Sequence, residues 1–259
     1  MAHTSSNNSN LLLHRLIPSL AALILLLCLP SALQRPFQSK GEPREALVAQ
    51  AMLKSGEWIL PSRYDGEFAT KPPMTHWLMA LSSLPSGKVS EFTSRLPSIL
   101  LSVLAVCCFF YIIASRGESL EATISTFILL TSALWFRQST AARVDMPLSG
   151  FMITALLLFY RWELMSLRGT LIPGAISVLL ACAALTKGPV ALALPGAVGV
   201  SYLYLRRYKF RSIVGNLSKI FLPAFILTLL WYLAAYRTGG LEFWNIVYSE
   251  NIARFTGTM

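Results

Sequence analysis

Apolar runs of about twenty residues, parted by short polar breaks, dominate the chain from residue 11 onward. Wound as an α-helix, a run of that length crosses a hydrocarbon core of about 30 Å. The pattern predicts spans near residues 11–33, 93–115, 119–136, 147–165, 171–186, 189–205 and 212–236. This describes an all-α integral membrane bundle of about seven transmembrane helices. The polar, Ser/Asn-rich residues 1–10 read as a disordered tail, and residues 11–259 as one polytopic domain.

Two shorter elements are expected inside the long polar segment 34–92. Pro43 can open a helix over 44–55 that Gly56 ends, with Ala46, Ala49 and Leu53 on one face. A second helix is expected over 74–84, after the stop imposed by Pro72 and Pro73. Both suit the membrane interface, the second through Trp77. Residues 11–33 also carry the Arg15 flank and Pro30-Ser31-Ala32 of a secretion signal. A retained first span is the expectation, because further spans follow at once.

Composition strengthens the membrane reading. With 54% hydrophobic residues, 13% charged ones and a mean hydropathy of +0.57, the 259 residues are too apolar for an ordinary soluble domain. Cys28, Cys107, Cys108 and Cys182 all fall inside expected spans, without metal-ligand spacing, and read as small apolar fillers. The net charge of +10 is scattered between apolar runs rather than gathered on one soluble face, so nucleic acid is not an expected partner, whereas membrane lipids are.

Charge also sets sidedness. Arg116, then Arg161 and Arg168, then Arg206, Arg207, Lys209 and Arg211 fall on one side by alternation, which should be cytoplasmic. The opposite side receives 34–92, 137–146, 186–189 and 237–259. That outer side carries five polar constellations: Gly41-Glu42-Pro43-Arg44-Glu45, the segment from Tyr64 to Lys71-Pro72-Pro73, Arg143-Val144-Asp145, Thr186-Lys187-Gly188, and the tail with Glu250, Asn251 and Arg254. Each has a plainer reading taken singly: Glu42 as a helix cap, Lys71 and Lys187 as loop-end lysines, Arg143 with Asp145 as a local ion pair. Their coincidence on one face suggests a site with carboxylates Glu42 and Asp145, and with cations Arg44, Lys71, Arg143, Lys187 and Arg254. Such a set can take a proton from a hydroxyl and stabilise a departing phosphate.

The motif order resembles the GT-C glycosyltransferases, the family of protein O-mannosyltransferases and lipid A aminoarabinose transferases. The resemblance rests on Glu42-Pro43-Arg44, Gly56-Glu57-Trp58-Ile59-Leu60-Pro61, Lys71-Pro72-Pro73 with Trp77, Asp145-Met146-Pro147, Thr186-Lys187-Gly188 and the stretch from Phe243 to Phe255. It implies a sugar donor carried on a polyprenyl phosphate, an acceptor that is a lipid, a glycan or a protein, and inversion at the anomeric carbon. It implies further an inner-membrane enzyme working on the outer, periplasmic face. Glu42, helped by Asp145, would be the base, while Arg44, Lys71 and Arg254 would surround the lipid phosphate.

Three departures stand out. Gly41 replaces the leading acid of the aminoarabinose transferases, Thr70 an acidic residue, and Asn251 a histidine. No metal ligands are therefore carried over, and a divalent metal is the one cofactor left open. Relatives of this type continue with more spans, so the chain reads as an N-terminal portion of a longer fold. The rival readings are an inactive or split lipid-binding fragment and, further off, a transporter. A transporter calls for ionisable groups in mid-span, and only the break at 186–189 offers anything similar.

Overall fold

The computed structural model describes residues 2–63 and 66–253, with side chains described within residues 16–250 and at Ala253. In chain order its α-helices are α1 (Ala2–Gln34), α2 (Gly41–Ser55), α3 (Met74–Ser83), α4 (Glu91–Ala114), α5 (Ser119–Thr131), α6 (Ala133–Ser139), α7 (Asp145–Leu164), α8 (Leu171–Lys187), α9 (Val190–Leu205) and α10 (Phe210–Tyr248). Among the described residues the one strand-like pairing is a single antiparallel bridge between Ser62 and Phe68.

Local chemistry sets most helix ends. Pro43 lies in the first turn of α2, and the N–H of Gly56 closes that helix on the Met52 carbonyl. Ser90 and Thr93 form a reciprocal capping box at the start of α4. Gly188 separates α8 from α9 with φ 86° and ψ −156°, a backbone region open essentially to glycine alone, and Pro189 then starts α9. The helical backbone of α1 runs back to Ala2, through the polar stretch read from sequence as a tail.

Every expected span is occupied by helix, but 119–136 is not one rod. Ser132 is extended, at ψ 119°, and α5 meets α6 there at a bend of 69°. The apolar pattern continues through the bend, which is why it left no mark on the hydropathy. α1 from Leu16, α4 and α10 are each long and apolar enough to cross a membrane, and the bent pair makes a fourth candidate. α8 and α9 are apolar but shorter.

The central core lies among α7, α8, α9 and α10, around Trp162, Leu180, Leu203, Ile213 and Ile220. α4 packs on α7, and α1 on α4 through Ile24, Cys28 and Ala32 against Ile99 and Val106. The outer faces stay apolar. On α10, Leu222, Phe225, Ile226, Leu229, Leu230 and Leu233 are all exposed. A surface of that kind suits lipid tails and not water.

The two ends of the bundle differ. At one, the buried Glu163 carboxylate accepts from the Tyr202 and Tyr208 hydroxyls at 3.1 and 3.2 Å and from Arg206 Nε at 3.1 Å. That cluster ties the end of α7 to the end of α9 and the start of α10. At the other, Lys187 at the end of α8 meets Asp145 at the start of α7. The breaks at 137–146 and 186–189 thus share one end, as alternation of spans requires.

Candidate active site

Glu42 sits in the first turn of α2 and is 2% exposed. Its Oε1 accepts from Arg95 Nε at 3.1 Å and from the Ala142 amide at 3.0 Å, and its Oε2 accepts from the Gln38 amide at 2.6 Å. Arg95, 1% exposed near the start of α4, also donates to the carbonyls of Ala32, Arg35 and Pro36 at 3.3, 2.6 and 2.9 Å. One carboxylate and one guanidinium therefore pin the segment after α1, α2, α4 and the turn before α7 to one another. Burial pushes the Glu42 carboxyl up, but the Ala142 and Gln38 amides and Arg95 together outweigh it and hold it below the usual range. With both oxygens engaged, Glu42 is built as a clamp.

Around this clamp opens a cavity of about 500 Å³, lined by Arg35, Glu42, Arg95, Arg137, Arg143 and Asp145 among others. Asp145 Oδ1 accepts from Lys187 Nζ at 2.9 Å and Oδ2 from Arg143 Nε at 3.2 Å. Its side chain is 30% exposed, so of the two carboxylates on this cavity it is the accessible one. The Arg143 guanidinium lies against Gly41, where a Cβ would stand 2.5 Å from Nη1. The missing acid of the motif thus leaves room that a cation fills.

A second cavity of about 240 Å³ lies on the other side of the α2 start, lined by Arg44, Glu45, Arg63, Thr70, Lys71, His76 and Glu250. Glu45 is its hub. Its Oε1 accepts from Arg44 Nη2 at 3.0 Å and lies 3.9 Å from Lys71 Nζ, and its Oε2 lies 2.8 Å from His76 Nε2. Burial raises the Glu45 carboxyl, yet His76, Lys71 and Arg44 together bring it down to about 2. Burial lowers the Lys71 ammonium, as do Arg44 and Lys187, while Glu45 and Asp145 only partly offset them. Asp145, which lines the larger cavity, is thus among the charges that act on Lys71 in the second.

Six of the seven residues marked from the sequence, Glu42, Arg44, Lys71, Arg143, Asp145 and Lys187, gather at this end; Arg254 lies outside the described residues, as do residues 64 and 65 of the second constellation. Sequence reasoning passed over Arg95, Arg35, Arg137, His76 and the hub role of Glu45. Two of these carried a signal. Arg95 is a charge at the head of an apolar span, and His76 is the lone histidine beyond residue 14. Among the described residues no group of three or more His, Cys, Asp or Glu side chains converges as metal ligands.

An undecaprenyl phosphate-alpha-4-amino-4-deoxy-L-arabinose arabinosyl transferase of Shewanella sediminis is 30% identical over 90% of this chain and 42% of its own length. A protein of Aquifex aeolicus described as uncharacterized is 34% identical over 85% of this chain and 49% of its own. The chain thus spans about two fifths to one half of the length of these relatives. The fold is that of ArnT from Cupriavidus metallidurans, solved bound to undecaprenyl phosphate, with a TM-score of 0.78 at 22% identity, covering 92% of this chain and 43% of that one. Residues 70–232 match the family described as Dolichyl-phosphate-mannose-protein mannosyltransferase, which takes in Lys71, Arg143, Asp145 and Lys187, and the chain belongs to that family.

Proposed function

We propose that the chain forms the donor and acceptor site of a glycosyltransferase that moves a sugar from a polyprenyl phosphate to an acceptor at the outer, periplasmic membrane face. The observation that carries this is the pair of cavities flanking the first turn of α2, one lined by Glu42 and the other by Arg44 and Glu45. One holds Arg44 and Lys71 around Glu45, and the other holds Asp145 between Arg143 and Lys187.

In this reading Lys71 and Arg44, with Arg254, bind the phosphate of the donor. The acceptor enters the larger cavity, where Arg35, Arg137 and Arg143 favour a molecule carrying negative charge. An acceptor oxygen attacks the anomeric carbon as the bond from that carbon to the phosphate oxygen breaks, with inversion. The phosphate leaves with the bonding electrons, and Lys71 and Arg44 compensate the charge that develops on it. If the attacking oxygen is a hydroxyl, its proton passes to Asp145. Glu42, sealed by Arg95 and two amides, holds the frame. Relatives named for 4-amino-4-deoxy-L-arabinose on undecaprenyl phosphate make that donor the first to assay.

The test is transfer of radiolabelled sugar from a polyprenyl phosphate by the purified protein in lipid nanodiscs. Lys71→Ala is expected to lower kcat/KM by about a hundredfold, the scale of one lost charged contact to the transition state. Asp145→Asn is expected to lower kcat more than it raises KM. Transfer by both variants at the rate of the parent would overturn the assignment of the two cavities.

A further inference from the structure

His76 touches neither Lys71 nor Arg44 by any hydrogen bond, yet it is more enclosed than any other polar group lining the second cavity, at 1% exposed. Among the described residues its one side-chain hydrogen bond joins Nε2 to Glu45 Oε2 at 2.8 Å. An ionised carboxylate only accepts, so Nε2 carries the proton. The other ring nitrogen, Nδ1, is buried without a partner among the described residues, and an unmade buried hydrogen bond costs about 1–3 kcal/mol. A ring held in that way asks what its one bond achieves.

The geometry of Glu45 answers. Arg44 takes Oε1 at 3.0 Å and His76 takes Oε2 at 2.8 Å, which leaves Lys71 at 3.9 Å, beyond hydrogen-bond length. At that separation the ammonium is attracted to the carboxylate but keeps its N–H groups for another acceptor. Without the ring, Oε2 is free to turn towards Lys71 and close a direct charge-assisted bond, in competition with any incoming anion.

We infer that His76 is a positioning residue: it holds the Glu45 carboxylate turned so that the Lys71 ammonium remains available to the phosphate of the donor. The inference rests on reading the second cavity as the phosphate site.

Binding of undecaprenyl monophosphate to the full chain in nanodiscs tests both, with Lys71→Ala, His76→Phe, His76→Gln and His76→Asn beside the parent. The glutamine amide can place an N–H where Nε2 stands, whereas asparagine is too short to do so. The expected result is about tenfold weaker binding for His76→Phe and His76→Asn, recovery to within about twofold for His76→Gln, and in turnover a raised KM with kcat nearly unchanged. If His76→Phe does not fold, the glutamine and asparagine variants carry the comparison alone. Should Lys71→Ala weaken binding while the His76 variants match the parent, or while glutamine and asparagine fall equally, the positioning role is wrong and the cavity assignment stands. Lack of binding by the parent overturns both.

Discussion

A buried charge is safe only while its partner is there, and Glu42 with Arg95 is such a case. Removing one member of a buried ion pair costs about 3–5 kcal/mol because the other is left uncompensated. Glu42→Gln and Arg95→Met are each expected to lower the thermal unfolding midpoint by several degrees, and the double variant to recover part of the loss, as scanning calorimetry of the detergent-solubilised protein would report. Equal and additive losses would mean that the two groups act independently. Glu45 gives a prediction in pH. Its carboxyl stands at about 2 in the folded chain against an ordinary 4.5, so its contribution is complete above about 4.5 and is lost as pH falls towards 2. A drop of up to about 3 kcal/mol is expected across that window, flattened in Glu45→Gln, and measurable by denaturant unfolding at stepped pH. None of these pairings could be read from the sequence. Glu42 and Arg95 are 53 positions apart, and which of two carboxylates is sealed depends on where α4 and the turn before α7 come to rest.

Helices were more legible than pairings, because hydropathy and helix-stop residues are local. Pro43, Gly56 and the Pro72-Pro73 pair marked α2 and α3, and the apolar runs marked the long helices. The bend at Ser132 was not legible, since neither proline nor glycine accompanies it, and it matters because α6 brings Phe136, Arg137 and Gln138 to the larger cavity. The α8–α9 break was legible as Gly188-Pro189, and its backbone explains why. Any residue with a Cβ at φ 86° and ψ −156° is strained by about 1–3 kcal/mol. Gly188→Ala is therefore expected to destabilise the chain by that amount and to shift Lys187 away from Asp145. The check is unfolding alongside a transfer assay, in which the variant should lose more activity than stability, and a stable, fully active variant would show the turn to be unimportant.

At the scale of the molecule, a greasy girdle separates an end rich in paired charge from an end where Glu163 gathers two tyrosines and Arg206. Sidedness is open to a direct measurement. A cysteine placed at Lys88 should react with an impermeant thiol reagent added outside intact cells, and one placed at Arg207 only after the cells are opened. The reverse pattern would put the two cavities on the cytoplasmic face. The clamp around Glu42 has a further consequence for biogenesis. Its parts leave the ribosome in the order Glu42, Arg95, Ala142, so the acid and the guanidinium are delivered long before the amide that completes them. Until the turn before α7 is in place, one hydrogen bond to Glu42 Oε1 is still unmade. A chain halted before residue 142 is therefore expected to hold both charges of the clamp, with their partners at Ala32, Arg35, Pro36 and Gln38, and to lack only the amide that closes it.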